Sequence, residues 1–310
     1  MPLDPVLLAL KEQLNIQDRS ALSIEERRAL DKQQNSLFSP AAESVRLVEN
    51  RSIPGPAGDI PLRLYYPDGA GPLPVLIYFH GGGWALGDLD SSDPVCRHFA
   101  NGAGCLVVSV EYRLAPEHHF PAGLDDCYAA THWVAEHIAE YQGDPARLAV
   151  CGESAGGNLV AAVALLARDR RKIALSYQVL IYPVLAYYTS GMPSYQENGR
   201  VVGDDYGELV MSWRTYLGDE TASANPYAVP LQASDLSGLP PALIVTAEYD
   251  LLRDEGNLYA KRLREAGVSA QLEQVDSMVH GFLGLYPIVE KARQALLTIE
   301  RALRQALDEQ

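Results

Sequence analysis

Gly152-Glu153-Ser154-Ala155-Gly156 stands between an apolar run, Arg147-Leu148-Ala149-Val150-Cys151, and an Ala/Leu-rich stretch over residues 158–170. A strand that passes straight into a helix through so short a turn holds its central residue in strained backbone, and small neighbours keep the turn from clashing. The serine hydroxyl is left exposed, and the following helix points its positive end toward any negative charge that develops there. A plain strand-to-helix turn uses the same residue types, so the pentapeptide alone leaves that alternative open. The flanking pattern narrows it. Residues 74–171 read strand, helix, strand, helix, strand, helix, the alternation of a parallel sheet covered on both faces. Residues 73–79 and 105–110 are continuous apolar, β-branched runs suited to central strands.

The same buried-strand pattern returns at 175–182 and 242–246. Residues 253–266 form an amphipathic helix stopped by Gly267, 269–275 alternate as a strand, and a closing helix covers about 287–307. Residues 45–51 and 60–66 pair through the turn-rich segment 54–58 as an antiparallel edge. The fold class is α/β, with a mostly parallel central sheet flanked by helices. Two stretches break the alternation, 1–43 and 185–230, and long inserts beside an enzyme sheet are usually lids. The expected organisation is a helical cap from 1–43 and the 185–230 insertion, over one catalytic domain built from 44–184 and 231–310. A chain of 310 residues, 47% of them hydrophobic, is long enough to bury such a core.

A formal net charge of −15 opposes nucleic acid and acidic membrane surfaces as partners. The first residues lack a basic, signal-like start, and no apolar run approaches the roughly 20 residues of a membrane helix. Cys96, Cys105, Cys127 and Cys151 form no CxxC pair and read as reduced core thiols, neither a disulfide framework nor a metal site. A cytoplasmic location is the expectation.

His80-Gly81-Gly82-Gly83-Trp84 follows the strand at 73–79. Successive glycines let backbone N–H groups turn toward a carbonyl oxygen, and such an HGGG-type loop is a known anion-stabilising device of lipases and esterases. Gly82, Gly83 and Ala155 are the candidate donors. The rival reading, a phosphate loop, lacks both a Walker lysine and a G-x-G-x-x-G opening a helix. His80 is expected to brace the loop. A serine nucleophile needs a base, and that base needs a carboxylate to fix its tautomer. After Ser154 the chain holds a single histidine, His280, in the loop between the last strand and last helix. Asp250 follows the 242–246 strand and is the best-placed acid, with Glu248 and Asp254 as alternatives. Glu153 reads as a hydrogen-bonding group beside the nucleophile. Trp84 and Tyr182 are candidate pocket walls. No metal or organic cofactor is required.

These residues resemble the bacterial hormone-sensitive lipase family of α/β-hydrolase carboxylesterases over nearly the whole chain. The marks are His80 to Trp84, Tyr112-Arg113-Leu114-Ala115-Pro116-Glu117-His118 with Phe120-Pro121, Gly152 to Gly157, Leu180-Ile181-Tyr182-Pro183, Tyr249 to Gly256, and His280-Gly281-Phe282. The resemblance implies the triad Ser154, His280 and Asp250, the same oxyanion donors and a cap, and a pocket closed by so small a lid suits a small-molecule ester of short to medium acyl length. The chain departs from the family with Glu153 where Asp is common and Leu251 where Pro is common. An amidase or deacetylase with the same triad, or a binding protein on the same fold, remains the alternative. A homodimer through an exposed sheet edge is the expected assembly.

Overall fold

Strand β3 (Leu73–Phe79) is buried at every position, as a continuous apolar run must be when helices cover both faces of its sheet. Its side chains divide by parity: Val75, Ile77 and Phe79 enter one core, Leu76 and Tyr78 the other. The computed structural model, which describes residues 2–14, 22–38, 42–199 and 206–308, places β3 near the middle of an eight-stranded sheet. The other strands are β1 (Leu47–Gly55), β2 (Gly58–Tyr66), β4 (Leu106–Val110), β5 (Gly143–Glu153), β6 (Tyr177–Ile181), β7 (Ala242–Tyr249) and β8 (Ala270–Val279). Their order is β1-β2-β4-β3-β5-β6-β7-β8. The β1–β2 and β2–β4 pairs are antiparallel and all others parallel, so the antiparallel edge lies where the turn-rich 54–58 segment placed it. The chain is an α/β-hydrolase fold.

One face carries α4 (Ala122–His137), α5 (Ala155–Arg170) and α8 (Arg253–Glu265), and the other α3 (Asp93–Ala103) and α9 (Glu290–Asp308). The buried stripe Ala292, Ala295, Leu296, Ile299, Leu303, Leu307 has the three-to-four spacing that turns one side of α9 into the core. Two local differences from the sequence pattern appear. The 54–58 turn tightens to Pro56-Ala57, because β1 and β2 stay in register out to Gly55 and Gly58. β5 starts at Gly143, ahead of the apolar run at 147–151, and does so irregularly: Leu73 faces Gly143 but Val75 faces Leu148, so the extra residues bulge out.

Two helices precede the sheet, α1 (Pro5–Leu14) and α2 (Ile24–Phe38), and two lie in the insertion, α6 (Pro193–Asn198) and α7 (Tyr206–Leu217). Residues 15–21, 39–41 and 200–205, parts of the expected cap, lie outside the described residues. Ser23 and Glu26 start α2 with a reciprocal capping box: the Ser23 N–H donates to Glu26 Oε2 (2.8 Å) and the Glu26 N–H to Ser23 Oγ (3.2 Å). α1 docks on the α9 side, with Leu7 buried there and the Asp4 N–H on the Ser277 carbonyl. α2 lies over the glycine loop and touches α7 through Arg27, which reaches Met211 and Glu208. All four cysteines are free and buried. No helix among the described residues is long and apolar enough to cross a membrane.

Candidate active site

Ser154 ends β5 and begins α5 with φ of 53° and ψ of −116°, the strained conformation the turn demands. Its N–H donates to the Ile181 carbonyl (2.8 Å), and its own carbonyl accepts from Asn158 and Val184, which fixes the turn from three sides. A Cβ on Gly156 would lie 2.0 Å from the Phe79 carbonyl oxygen, so this position admits only glycine. The loop after β8 brings His280 Nε2 to 2.9 Å from Ser154 Oγ. On the other side His280 Nδ1 stands 2.8 Å from Asp250 Oδ2. A carboxylate there selects the tautomer with hydrogen on Nδ1, which leaves the Nε2 lone pair for the serine hydroxyl. Asp250 is fully buried, and its second oxygen accepts the Leu252 N–H (2.7 Å). Of the two alternative acids, Glu248 accepts the Ser277 N–H and Asp254 accepts the Ser194 N–H; Asp250 is the carboxylate that touches the histidine.

The glycine loop leaves β3 and reverses with φ of 104° at Gly82 and 59° at Gly83. The Ala85 and Leu86 N–H groups both donate to the Gly82 carbonyl, and a Cβ on Gly82 would meet Leu86 O at 2.4 Å. Among the described residues, the N–H groups of Gly82, Gly83 and Ala155 have no acceptor within the chain. His80 is buried, its ring stacked on Tyr112 at 4.3 Å between centroids and its Nδ1 2.8 Å from the Gly81 carbonyl. Burial pushes its pKa down to about 4, so it is a neutral brace at pH 7. From outside, the Arg28 guanidinium of α2 donates to the carbonyls of Ala85 (2.9 Å) and Ala115 (3.1 Å) and forks onto Glu117 at 2.7 and 2.8 Å. That hydrogen bond holds the Glu117 carboxyl down at about 2.

A cavity of about 520 Å³ opens over Ser154, bordered by Gly82, Gly83, Leu209, Leu252 and His280. A second lobe of about 530 Å³ lies between α2 and α3, against Lys32, Val95, Leu283 and Tyr286. Glu153 and Gly284 line both. The Tyr182 and Tyr78 hydroxyls donate to the Glu153 carboxylate at 2.5 and 3.1 Å. Trp84 and Tyr182 both border the first lobe but expose almost no surface. The Trp84 ring stacks on Tyr216 (4.1 Å) and leans on Trp213 (4.8 Å), tying the glycine loop to α7. The Tyr182 ring presents its edge to His280 at 4.9 Å. Among the described residues no three His, Cys, Asp or Glu side chains converge as a metal-binding group.

Sequence reading missed three polar residues around this site: Arg28, Asn198 and Glu255. Glu255 is fully buried in the first turn of α8, where Oε2 accepts the N–H groups of Leu185 (2.5 Å) and Ala186 (2.6 Å) and Oε1 accepts the Tyr195 hydroxyl (2.6 Å). Burial pushes its pKa up to about 8 against the pull of those donors. A signal was present, since Glu255 occupies the inward stripe of α8 with Leu252, Gly256 and Tyr259.

Residues 76–284 match the family model described as alpha/beta hydrolase fold. The carboxylesterase NlhH of Mycobacterium tuberculosis is 43% identical over 98% of this chain and 96% of its own length. An arylesterase of Saccharolobus solfataricus is 38% identical over 92% of this chain and 93% of its own. Among solved structures, the hyperthermophilic esterase of the archaeon Pyrobaculum calidifontis superposes with a TM-score of 0.95 at 41% identity, covering 98% of this chain and 99% of that one. With motif, fold and relatives in agreement from end to end, this chain belongs to the alpha/beta hydrolase fold family, among its carboxylesterases of the hormone-sensitive lipase type.

Proposed function

We propose that the protein hydrolyses carboxylic esters of short to medium acyl length through an acyl-enzyme on Ser154. The observation that supports this most is the continuous hydrogen-bonded series from Ser154 Oγ through His280 to the buried Asp250 carboxylate. His280 Nε2 takes the hydroxyl proton as Oγ attacks the ester carbonyl, and the N–H groups of Gly82, Gly83 and Ala155 receive the oxyanion. The tetrahedral intermediate collapses, the C–O bond to the alcohol breaks, and the proton on Nε2 goes to the leaving oxygen. Water then repeats the attack on the acyl-enzyme, giving its proton to His280, and Ser154 departs with that proton as the acid is released. Asp250 holds the imidazole in orientation and stabilises its charged form without taking the proton.

The two lobes give room for modest groups on either side of the scissile bond, under a cap to which α2 and α7 contribute. Buried, unpaired thiols suit a reducing, cytoplasmic setting. β1 and β8 are the sheet's two edges, and a homodimer would use one of them; light scattering after size exclusion reads the mass.

Hydrolysis of nitrophenyl esters from acetate to palmitate tests the reading. Ser154→Ala should lower kcat by about five to six orders of magnitude and abolish labelling by a fluorophosphonate, with the thermal melt unchanged. A Ser154→Ala variant that still shows an acyl burst would sink the mechanism, and rates that peak at palmitate would sink the chain-length assignment.

A further inference from the structure

The loop that carries Asp250 is held from the insertion. Hydrogen bonds and an ion pair join α6 to residues 248–255. The Ser194 N–H donates to Asp254 Oδ2 (2.9 Å) and its hydroxyl to the Leu251 carbonyl (2.6 Å). The Tyr195 hydroxyl reaches Glu255, and Glu197 pairs with Arg253 at 2.7 Å. Asn198 makes the contact nearest the acid: its amide Nδ2 donates to the carbonyls of Glu248 (3.2 Å) and Asp250 (3.0 Å), and the side chain is 5% exposed. Each of those carbonyls also accepts from Arg253, through Nη1 and through the backbone N–H. Asn198 therefore bridges the carbonyls of Glu248 and Asp250, two residues apart, and ties the end of β7 to the backbone that carries the Asp250 side chain.

We propose that Asn198 is a positioning residue for the hydrolysis: its amide fixes the backbone of Asp250 so that the carboxylate meets His280 Nδ1, and seating of α6 sets the alignment of the acid. This rests on the assignment of Asp250 as the triad acid. A carboxylate displaced by even 1 Å from the imidazole loses much of its value, because catalysis depends steeply on orientation. The remaining Arg253 donors keep both carbonyls paired when the amide is removed, so the loop stays folded while its register loosens.

The test is a double-mutant comparison on a short nitrophenyl ester. Asn198→Ala should lower kcat by about tenfold to a hundredfold with KM changed less than about twofold. Asn198→Leu, which fills the buried site without restoring the donors, serves if the alanine variant folds poorly. Both substitutions are repeated in the Asp250→Asn background with thermal melts alongside. If Asn198 acts through the acid, its removal costs nothing further once Asp250 is Asn. Equal losses in both backgrounds, or no loss in the Asp250 enzyme, overturn the proposal. Should Asp250→Asn alone retain full activity, the acid assignment fails and the role of Asn198 falls with it.

Discussion

Gly156 and Gly284 lie close to the same serine turn and differ in what a methyl group would meet. At Gly156 it would run into two backbone carbonyls, those of Phe79 and His80, neither of which can move without breaking the sheet. Gly156→Ala should cost about 3 kcal/mol or more of stability, read as a fall in the urea midpoint. At Gly284 a Cβ meets nothing within 4 Å, and the residue lines both lobes of the cavity. Gly284→Leu should leave the fold and acetate hydrolysis near the starting level while reducing the rate on octanoate several-fold; an unchanged chain-length profile would exclude this junction from the substrate path. The contacts of Ser154, His280 and Asp250 were readable from sequence because each residue follows a strand and because one histidine stands after Ser154. Asn198 was not, and Glu255 showed only as a polar residue on the inward stripe of α8, since their partners lie about 50 to 70 residues away and only the packed insertion brings them together.

Helix α2 is clamped to the glycine loop through Arg28. The Arg28 fork spans the glycine loop, the Ala115 carbonyl and Glu117, so its loss should loosen α2 over the cavity more than it destabilises the sheet. Arg28→Ala should raise KM for medium-chain esters about tenfold, with a stability change under about 1 kcal/mol because the ion pair is largely exposed. The Glu117 carboxyl is depressed, so the pair's contribution is present above the ordinary carboxylate range and fades only as pH falls toward about 2. KM measured at pH 6 and pH 8 should therefore show no change attributable to this clamp. Elements of the sheet were largely legible: β3 spans the residues its apolar run marks, and α8 and α9 follow their periodic stripes. Boundaries drifted where the ladder decides them, as at the bulged start of β5. The docking of α1 and α2 was not legible, because it depends on surfaces that exist only once the sheet has formed.

At the scale of the whole molecule, two buried carboxyls, Glu300 and Glu255, set a pH slope. Glu300 on α9 is pushed up to about 7 by burial, with Glu43 adding to the rise, and stands near His98. A carboxyl raised in the fold contributes most below its unfolded pKa and loses that contribution as pH rises through its folded value. Stability should thus decline from about pH 4.5 to 7 through Glu300, and on to about 8 through Glu255. Glu300→Gln should flatten the first part of that slope, gaining about 2 kcal/mol at pH 8 relative to the starting protein; a parallel pair of urea-midpoint curves would refute it. Glu255, with its three donors from Leu185, Ala186 and Tyr195, has another consequence, for recombination between relatives. An insertion cut out at its own ends and grafted into another scaffold arrives without the carboxylate that anchors it. Viable chimeras need a second crossover that carries residues 248–255 along with the graft, since these two stretches of chain pack as one part.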